Sequence, residues 1–157
     1  MKKIIAYLII CLALSIFALL SQYLIELPDW LLKYMLVIKC SFIGAVGGIL
    51  YCLRAVYLNK CVRKIWDKEW QVWYYLRPLT SAISGFVSFI FLKAGLLVLE
   101  AKPEPDAIPY GYLAIAFIAG YNVDNFMKKI ESIASATWGI EKSRSTNIDS
   151  DDKGKTQ

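Results

Sequence analysis

Four long apolar runs, separated by short polar segments, dominate the pattern of this chain. The runs cover residues 4–25, 31–53, 79–99 and 110–126. At a helical rise of 1.5 Å per residue, about 20 apolar residues cross the roughly 30 Å hydrocarbon core of a bilayer. The pattern therefore predicts an all-α integral membrane protein, in which four spans form two hairpins of a four-helix bundle.

Two of the polar segments contain proline and acidic residues but almost no basic residue. Residues 26–30 read ELPDW, and residues 100–109 read EAKPEPDAIP. Proline lacks the backbone N–H that a helix interior needs, so both segments predict loops. Their charge is typical of loops on the external side of a membrane.

The segment between the second and third runs has a different composition, because basic residues alternate there with Trp and Tyr. Its apolar side chains recur at steps of three and four, which predicts an amphipathic helix over about 58–75. We expect this helix to lie in the membrane interface, with Pro78 in the first turn of the third span. Basic residues among aromatic ones are also typical of a groove for single-stranded nucleic acid. Because spans flank the segment on both sides, the membrane surface is the favoured partner and no nucleic acid is expected.

Lys and Arg are distributed unevenly between the two predicted sides. Fourteen of the 18 lie in segments predicted to face the cytoplasm, and one lies in an external loop. The positive-inside bias therefore predicts cytoplasmic N- and C-termini. The first run is longer than the apolar region of a signal peptide and lacks a small-x-small cleavage site, so we expect an uncleaved anchor. A membrane domain of residues 1–142 and a disordered tail of residues 143–157 complete the predicted organisation.

Composition agrees with the membrane class and argues against catalysis. The chain is 57% apolar and its mean hydropathy is +0.46, above the values of soluble domains. The net charge of +5 follows from the positive-inside bias. Four cysteines without CxxC spacing and the absence of histidine predict neither a disulfide framework nor a metal site. We therefore expect a protein that is not an enzyme and has no cofactor.

Lysines inside the apolar runs are candidate functional residues. Lys33 lies near a span end, whereas Lys39 and Lys93 lie deeper in the outer leaflet. A charged lysine at the centre of a span costs about 2.5 to 3.5 kcal/mol on insertion scales. Three interpretations remain open: the side chains snorkel outward, they face a wet cavity or an anion, or an oligomer lines them into an anion-attracting ring.

Polar residues near the inner end of the fourth span form a second candidate group. Asn122 or Asp124 is positioned to contact Arg54 or Arg77, which lie at the same predicted membrane level. Such contacts would lock the two hairpins together. Alternatively, Asp124 pairs with Lys128 one helical turn later.

Small residues recur in three of the four predicted spans. The second span contains Gly44 and Gly48 in a GxxxG pattern, the third contains Gly85 among serines, and the fourth contains Ala116 and Gly120. Small residues let two helix backbones approach closely. This pattern predicts helix packing surfaces rather than ligand sites.

Three pieces of the chain carry a family resemblance. They are GAVGGILYCLRAVYL, WYYLRPLTSAISGFVSFIFLKAGLLVLE and YGYLAIAFIAGYNVDNFMKKIE, which together contain 65 of the 157 residues. The chain resembles uncharacterised short bacterial multi-span proteins with a Gly-rich second span, an LRP motif before a small-residue third span, and an F-x-A-G-aromatic fourth span. The resemblance implies a four-span protein of the bacterial inner membrane and implies no activity.

Two functional hypotheses follow. The first is a non-enzymatic membrane protein that acts by helix association through its small-residue motifs, as a homo-oligomer, with a cytosolic partner docking on the basic inner surface. By analogy, a small cationic protein of this kind suits a sensor or a membrane-perturbing effector in defence against phage. The alternative is a small channel or transporter in which the lysines within the spans attract anions.

Overall fold

The computed structural model describes residues 2–24, 34–62, 71–96 and 108–139. These residues form five α-helices and no strand, so the prediction of an all-α fold is confirmed. The helices are α1 (Lys2–Leu24), α2 (Met35–Tyr57), α3 (Gln71–Lys93), α4 (Ile108–Tyr121) and α5 (Val123–Trp138). The chain divides into two compact units, Met1–Val123 and Asp124–Gln157.

Three of the described helical stretches are long and apolar enough to cross a membrane, at Lys3–Ser21, Met35–Val62 and Gln71–Lys93. Helix α1 follows the first apolar run closely. Helix α2 does not end at residue 53 as predicted, but continues to Tyr57 and then into a π-helical turn, Leu58–Val62. A basic residue such as Arg54 marks the edge of an apolar run without ending a helix, because Arg is a good helix former.

Helix α3 corrects two predictions. It begins at Gln71, so Pro78 lies inside the helix rather than in its first turn. The described parts of the predicted interfacial helix over 58–75 belong instead to the end of the α2 segment and to the start of α3. The prediction of a separate helix there is therefore wrong for these parts, and residues 63–70 lie outside the described residues.

The end of α3 also differs from the predicted span of 79–99. Gly95 adopts φ 73°, the Leu96 N–H donates to the carbonyl of Phe91 at 3.0 Å, and the Gly95 N–H donates to that of Leu92 at 3.0 Å. This is the Schellman motif, which ends a helix with glycine in the left-handed conformation. Hydrophobicity alone did not reveal this end, because apolar residues continue to residue 99.

Helix α4 is shorter than the fourth predicted span of 110–126. Its 14 residues are apolar but cover only about 21 Å at helical rise. A turn at Asn122 separates α4 from α5, although the Asn122 N–H still donates to the carbonyl of Ile118 at 2.9 Å. The predicted disordered tail, residues 143–157, lies outside the described residues.

Helix α2 is the central element of the first unit, since α1, α3 and α4 all pack against it. Apolar side chains fill the contact with α1. They come from the start of α1, the second half of α2 and the start of α3, namely Ile4, Leu8, Ile49, Cys52, Val56 and Tyr74. Glycines form the contacts of α2 with α3 and α4 instead. The close approach of the three backbones brings polar and aromatic side chains of these helices together.

Candidate functional site

Five glycines form a close backbone contact among α2, α3 and α4, which we call the glycine contact: Gly44, Gly47, Gly48, Gly85 and Gly120. A Cβ atom on Gly44 would lie 2.6 Å from the carbonyl oxygen of Ser81 and 2.8 Å from the Cα of Gly85. A Cβ on Gly47 would lie 2.5 Å from the carbonyl oxygen of Phe117. No larger residue fits these positions unless the helices move apart.

The glycine contact lies within a single chain. The four glycines predicted from the sequence all take part, and Gly120 faces the backbone of Gly44 directly. The GxxxG pattern predicted only Gly44 and Gly48 as packing residues. Gly47 lies between them and also takes part, but its spacing does not match the pattern. Since α2, α3 and α4 occupy these surfaces, the glycines are not available to join two copies of the chain.

A buried arginine lies next to the glycine contact. Arg77 of α3 is 4% exposed, and its Cζ lies 4.9 Å from the ring centroid of Tyr51 and 5.0 Å from that of Trp73. The centroids of these two rings are 5.8 Å apart. A guanidinium over ring faces gains cation–π attraction, and the gain rises when water is excluded.

A second arginine joins α2 to α4 at the same end of the unit. The Nη1 of Arg54 donates to the hydroxyl oxygen of Tyr121 at 2.8 Å. The ring of Tyr121 meets that of Tyr51 edge to face, with centroids 5.5 Å apart. Tyr51 therefore connects the two arginines, and we call the five side chains of Tyr51, Arg54, Trp73, Arg77 and Tyr121 the arginine–aromatic cluster.

On α4, the structure gives Arg54 a hydrogen-bond partner that the sequence did not predict. Arg54 is held by Tyr121, the residue just before Asn122, which lies half-buried in the turn after α4. Asp124 is the first residue of the second unit, and its part in a lock stays a prediction. Both arginines were predicted from the sequence, but the aromatic residues that contact them were not. The four-residue spacing from Trp73 to Arg77 was the available signal, because side chains at i and i+4 lie on one helical face.

Serines extend the polar face of α3 beyond Arg77. Ser81, Ser84 and Ser88 are all buried. The Ser84 hydroxyl donates to the carbonyl of Thr80 at 2.9 Å, and that of Ser88 donates to the carbonyl of Gly85 at 2.7 Å. The Oγ of Ser81 lies against Gly48 and makes no hydrogen bond within the described part of the chain. These small side chains let the backbones approach, as serines do at helix contacts in membranes.

The two candidate lysines lie near helix ends at the opposite end of the unit. Lys93 is the last residue of α3. It is exposed, and its Nζ lies 5.7 Å from the ring centroid of Phe89. Lys39 is half-buried in the second turn of α2. A lysine near a helix end reaches the headgroup region by extending its side chain, so these positions favour snorkelling over an ion pathway.

The arginine–aromatic cluster and the glycine contact contain two guanidinium groups, three aromatic rings and close backbone contacts. Within the described ranges, no group of three or more His, Cys, Asp or Glu side chains is placed to hold a metal ion. Comparison of the chain with protein-family models, with curated proteins and with solved structures finds no match. The function must therefore be inferred from the geometry alone.

Proposed function

We propose that this chain is an integral protein of the bacterial inner membrane that crosses the bilayer four times and acts without catalysis, through association with other membrane components. The observation that supports this most strongly is the distribution of side chains on α3. Arg77 and three serines of this helix are buried in the protein, whereas several of its large apolar residues are exposed.

In a soluble protein, a surface helix buries its apolar face and exposes its polar face. Helix α3 does the reverse. The buried face carries Arg77, Ser81, Ser84 and Ser88, whereas the exposed face carries Leu79, Ile83, Phe86 and Ile90. Leaving a large apolar side chain in water rather than burying it costs about 1.5 to 3 kcal/mol. Lipid removes this cost for all four apolar residues, which explains why the apolar face needs no protein cover.

Helix α1 supports the same proposal. Ile4 and Leu8, in its first half, belong to the apolar cluster that it forms with α2, while Ile10, Leu14 and Phe17 form an exposed stripe at helical spacing. The exposed fractions of Leu14 and Phe17 are 62% and 69%. A contiguous apolar surface of this kind marks contact with a membrane or with another protein.

The basic residues at the ends of the helices support the proposed orientation. The start of α1, the end of α2 and the start of α3 meet in one apolar cluster, so Lys2, Lys3, Arg54, Lys60 and Arg77 lie toward the same end of the unit. Only Lys39 and Lys93 lie toward the other end among the described residues of Met1–Val123. The positive-inside bias supports placing the first end at the cytoplasmic surface.

Self-association remains part of the proposal but requires a surface other than the glycine contact. The exposed stripe of α1 is the best candidate, because Ile10, Leu14 and Phe17 are all more than half exposed on one side of the helix. In lipid, such an interface gains mainly from close packing between helices.

Native mass spectrometry of the purified protein in detergent tests this proposal. We expect more than one chain per particle, and we expect the paired change Leu14→Ala and Phe17→Ala to lower that number. The matched control is Leu79→Ala with Ile83→Ala on the exposed face of α3. A monomeric parent protein would contradict self-association, and an unaffected oligomer in the α1 variant would exclude this surface. Anion flux through protein reconstituted in liposomes would instead favour the channel alternative.

A further inference from the structure

Helix α5 has two clearly separated faces. On a helical wheel the apolar residues occupy an arc of roughly 140°, and Thr137 is the one polar residue within it. This apolar face consists of Val123, Phe126, Met127, Ile130, Ile133, Ala134 and Trp138, and the opposite face consists of Asp124, Asn125, Lys128, Lys129, Glu131, Ser132 and Ser135. The amphipathic helix that the sequence predicted over 58–75 thus has a counterpart after α4.

Part of the apolar face is open. Met127 is 47% exposed and Trp138 is 61% exposed, although they lie nearly three turns apart on the same face. The residues of the polar face are exposed, except Glu131 and Ser135, which are half-buried. An apolar stripe that runs the length of a helix is rarely left in water, so α5 requires a surface that covers it.

We infer that the apolar face of α5 inserts into the surface of the lipid bilayer, at the level of the headgroups. The inference rests on the proposed membrane position of α1 to α4. The short connection between the two helices supports this inference, because α5 begins two residues after the last residue of α4. A segment tethered this closely to a span meets the bilayer surface at high effective concentration, before any soluble partner.

The residue types of α5 support lipid as the occupant. Trp138 stands at the far end of the apolar face, and indole rings prefer the boundary between headgroups and hydrocarbon. On the polar face, Asp124 precedes Lys128 by four residues and Lys128 precedes Glu131 by three, spacings at which opposite charges stabilise a helix facing water. The two acidic and two basic residues leave α5 without net charge. The helix therefore binds the bilayer through apolar contact and not by selecting an acidic headgroup.

Site-directed spin labelling of the full chain tests the inference. The parent carries Cys11→Ser and Cys61→Ser and keeps Cys40 and Cys52, which are buried. Single cysteines are then introduced by Ala134→Cys at the centre of the apolar face, by Ser132→Cys on the polar face, and by Ile83→Cys on the exposed face of α3. Each variant is reconstituted in vesicles of phosphatidylethanolamine and phosphatidylglycerol, and the labelled parent without an added cysteine serves as the blank.

The readout is the collision frequency of each label with molecular oxygen, which concentrates in lipid, and with a water-soluble nickel chelate. We expect the label at 134 to collide with oxygen about as often as the label at 83, and the label at 132 to collide mainly with the chelate. Chelate access at 134 equal to that at 132 would place α5 in water and overturn the inference. Protection of 134 from both reagents would mean that protein covers the face, and would also overturn it. Chelate access at 83 would instead refute the proposed membrane position of the helices, and the inference with it.

Discussion

At the scale of single residues, the central feature is a guanidinium held inside a bundle by aromatic rings. Arg77 lies about 5 Å from the ring centroids of both Tyr51 and Trp73. Its planar group matches flat ring faces better than the ammonium of lysine would. Since Tyr51 belongs to α2 and Trp73 to α3, this contact joins two helices.

A double-mutant cycle measures the contribution of this contact. We expect Tyr51→Leu and Arg77→Met to be coupled by about 1 to 2 kcal/mol, the range for a cation–π contact shielded from water. The measurement is the free energy of unfolding in detergent for both single variants and the double variant. The control cycle pairs Arg77→Met with Phe89→Leu, twelve residues along the helix, and should be additive. Coupling of the same size in both cycles would mean that the rings do not act on the guanidinium.

The glycine contact predicts the sign of the change in the free energy of unfolding when one of its glycines is replaced by alanine. In an isolated helix, alanine is more stable than glycine by about 0.8 to 1.0 kcal/mol. A Cβ at Gly47 would meet the backbone of Phe117 at 2.5 Å, so we expect Gly47→Ala to destabilise the protein by about 1 to 3 kcal/mol, as overpacking does. The measurement is again the free energy of unfolding in detergent. Ala114→Leu, on the exposed side of α4, is the control and should change it little. A stabilised Gly47→Ala variant would show that α2 and α4 are farther apart than described.

At the scale of elements, hydrophobicity located the helices but misplaced their ends. An apolar run shows which residues are hydrophobic. A helix, in contrast, continues for as long as its backbone forms hydrogen bonds and its side chains pack. At the start of α3, burial of Tyr74 and the ring contact of Trp73 favour helix before Pro78. Proline removes one backbone bond there, and no pattern in the sequence shows that packing offsets the loss.

Gly95 tests where α3 ends. Because it adopts φ 73°, we expect Gly95→Ala to destabilise the protein by about 1 to 2 kcal/mol, the cost of a Cβ in the left-handed conformation. Nothing lies within 4 Å of the position a Cβ would occupy, so a steric clash is not the cause. If the helix continued to residue 99 as the apolar run suggests, the same substitution would stabilise it. Thermal unfolding in detergent, with Ala94→Ser as a neighbouring control, distinguishes the two outcomes by their sign.

At the scale of the whole molecule, the sequence indicated the fold class and the small-residue contacts, but not which residues hold the arginines. Gly44 and Gly48 were recognisable because their spacing alone places them on one helical face. Tyr51 and Tyr121 were not, because their contact depends on how α2 and α4 are rotated about their axes, and rotation is not encoded by local spacing. The same limit explains why the sequence did not predict the hydroxyl of Tyr121, which accepts the hydrogen bond from Arg54.

The proposed topology makes a prediction about the orientation of the whole chain in the membrane. Reporter fusions at residue 65, among the basic residues after α2, and at residue 105, in the acidic segment before α4, should lie on opposite sides of the membrane. We expect a cytoplasmic signal at 65 and an external signal at 105, because fourteen basic residues lie in segments predicted to face the cytoplasm. Paired reporters that are active only inside and only outside the cell measure each position twice. An exported residue 65 with a cytoplasmic residue 105 would invert the molecule, and would place the arginine–aromatic cluster near the outer surface, where the positive-inside bias offers no reason for it.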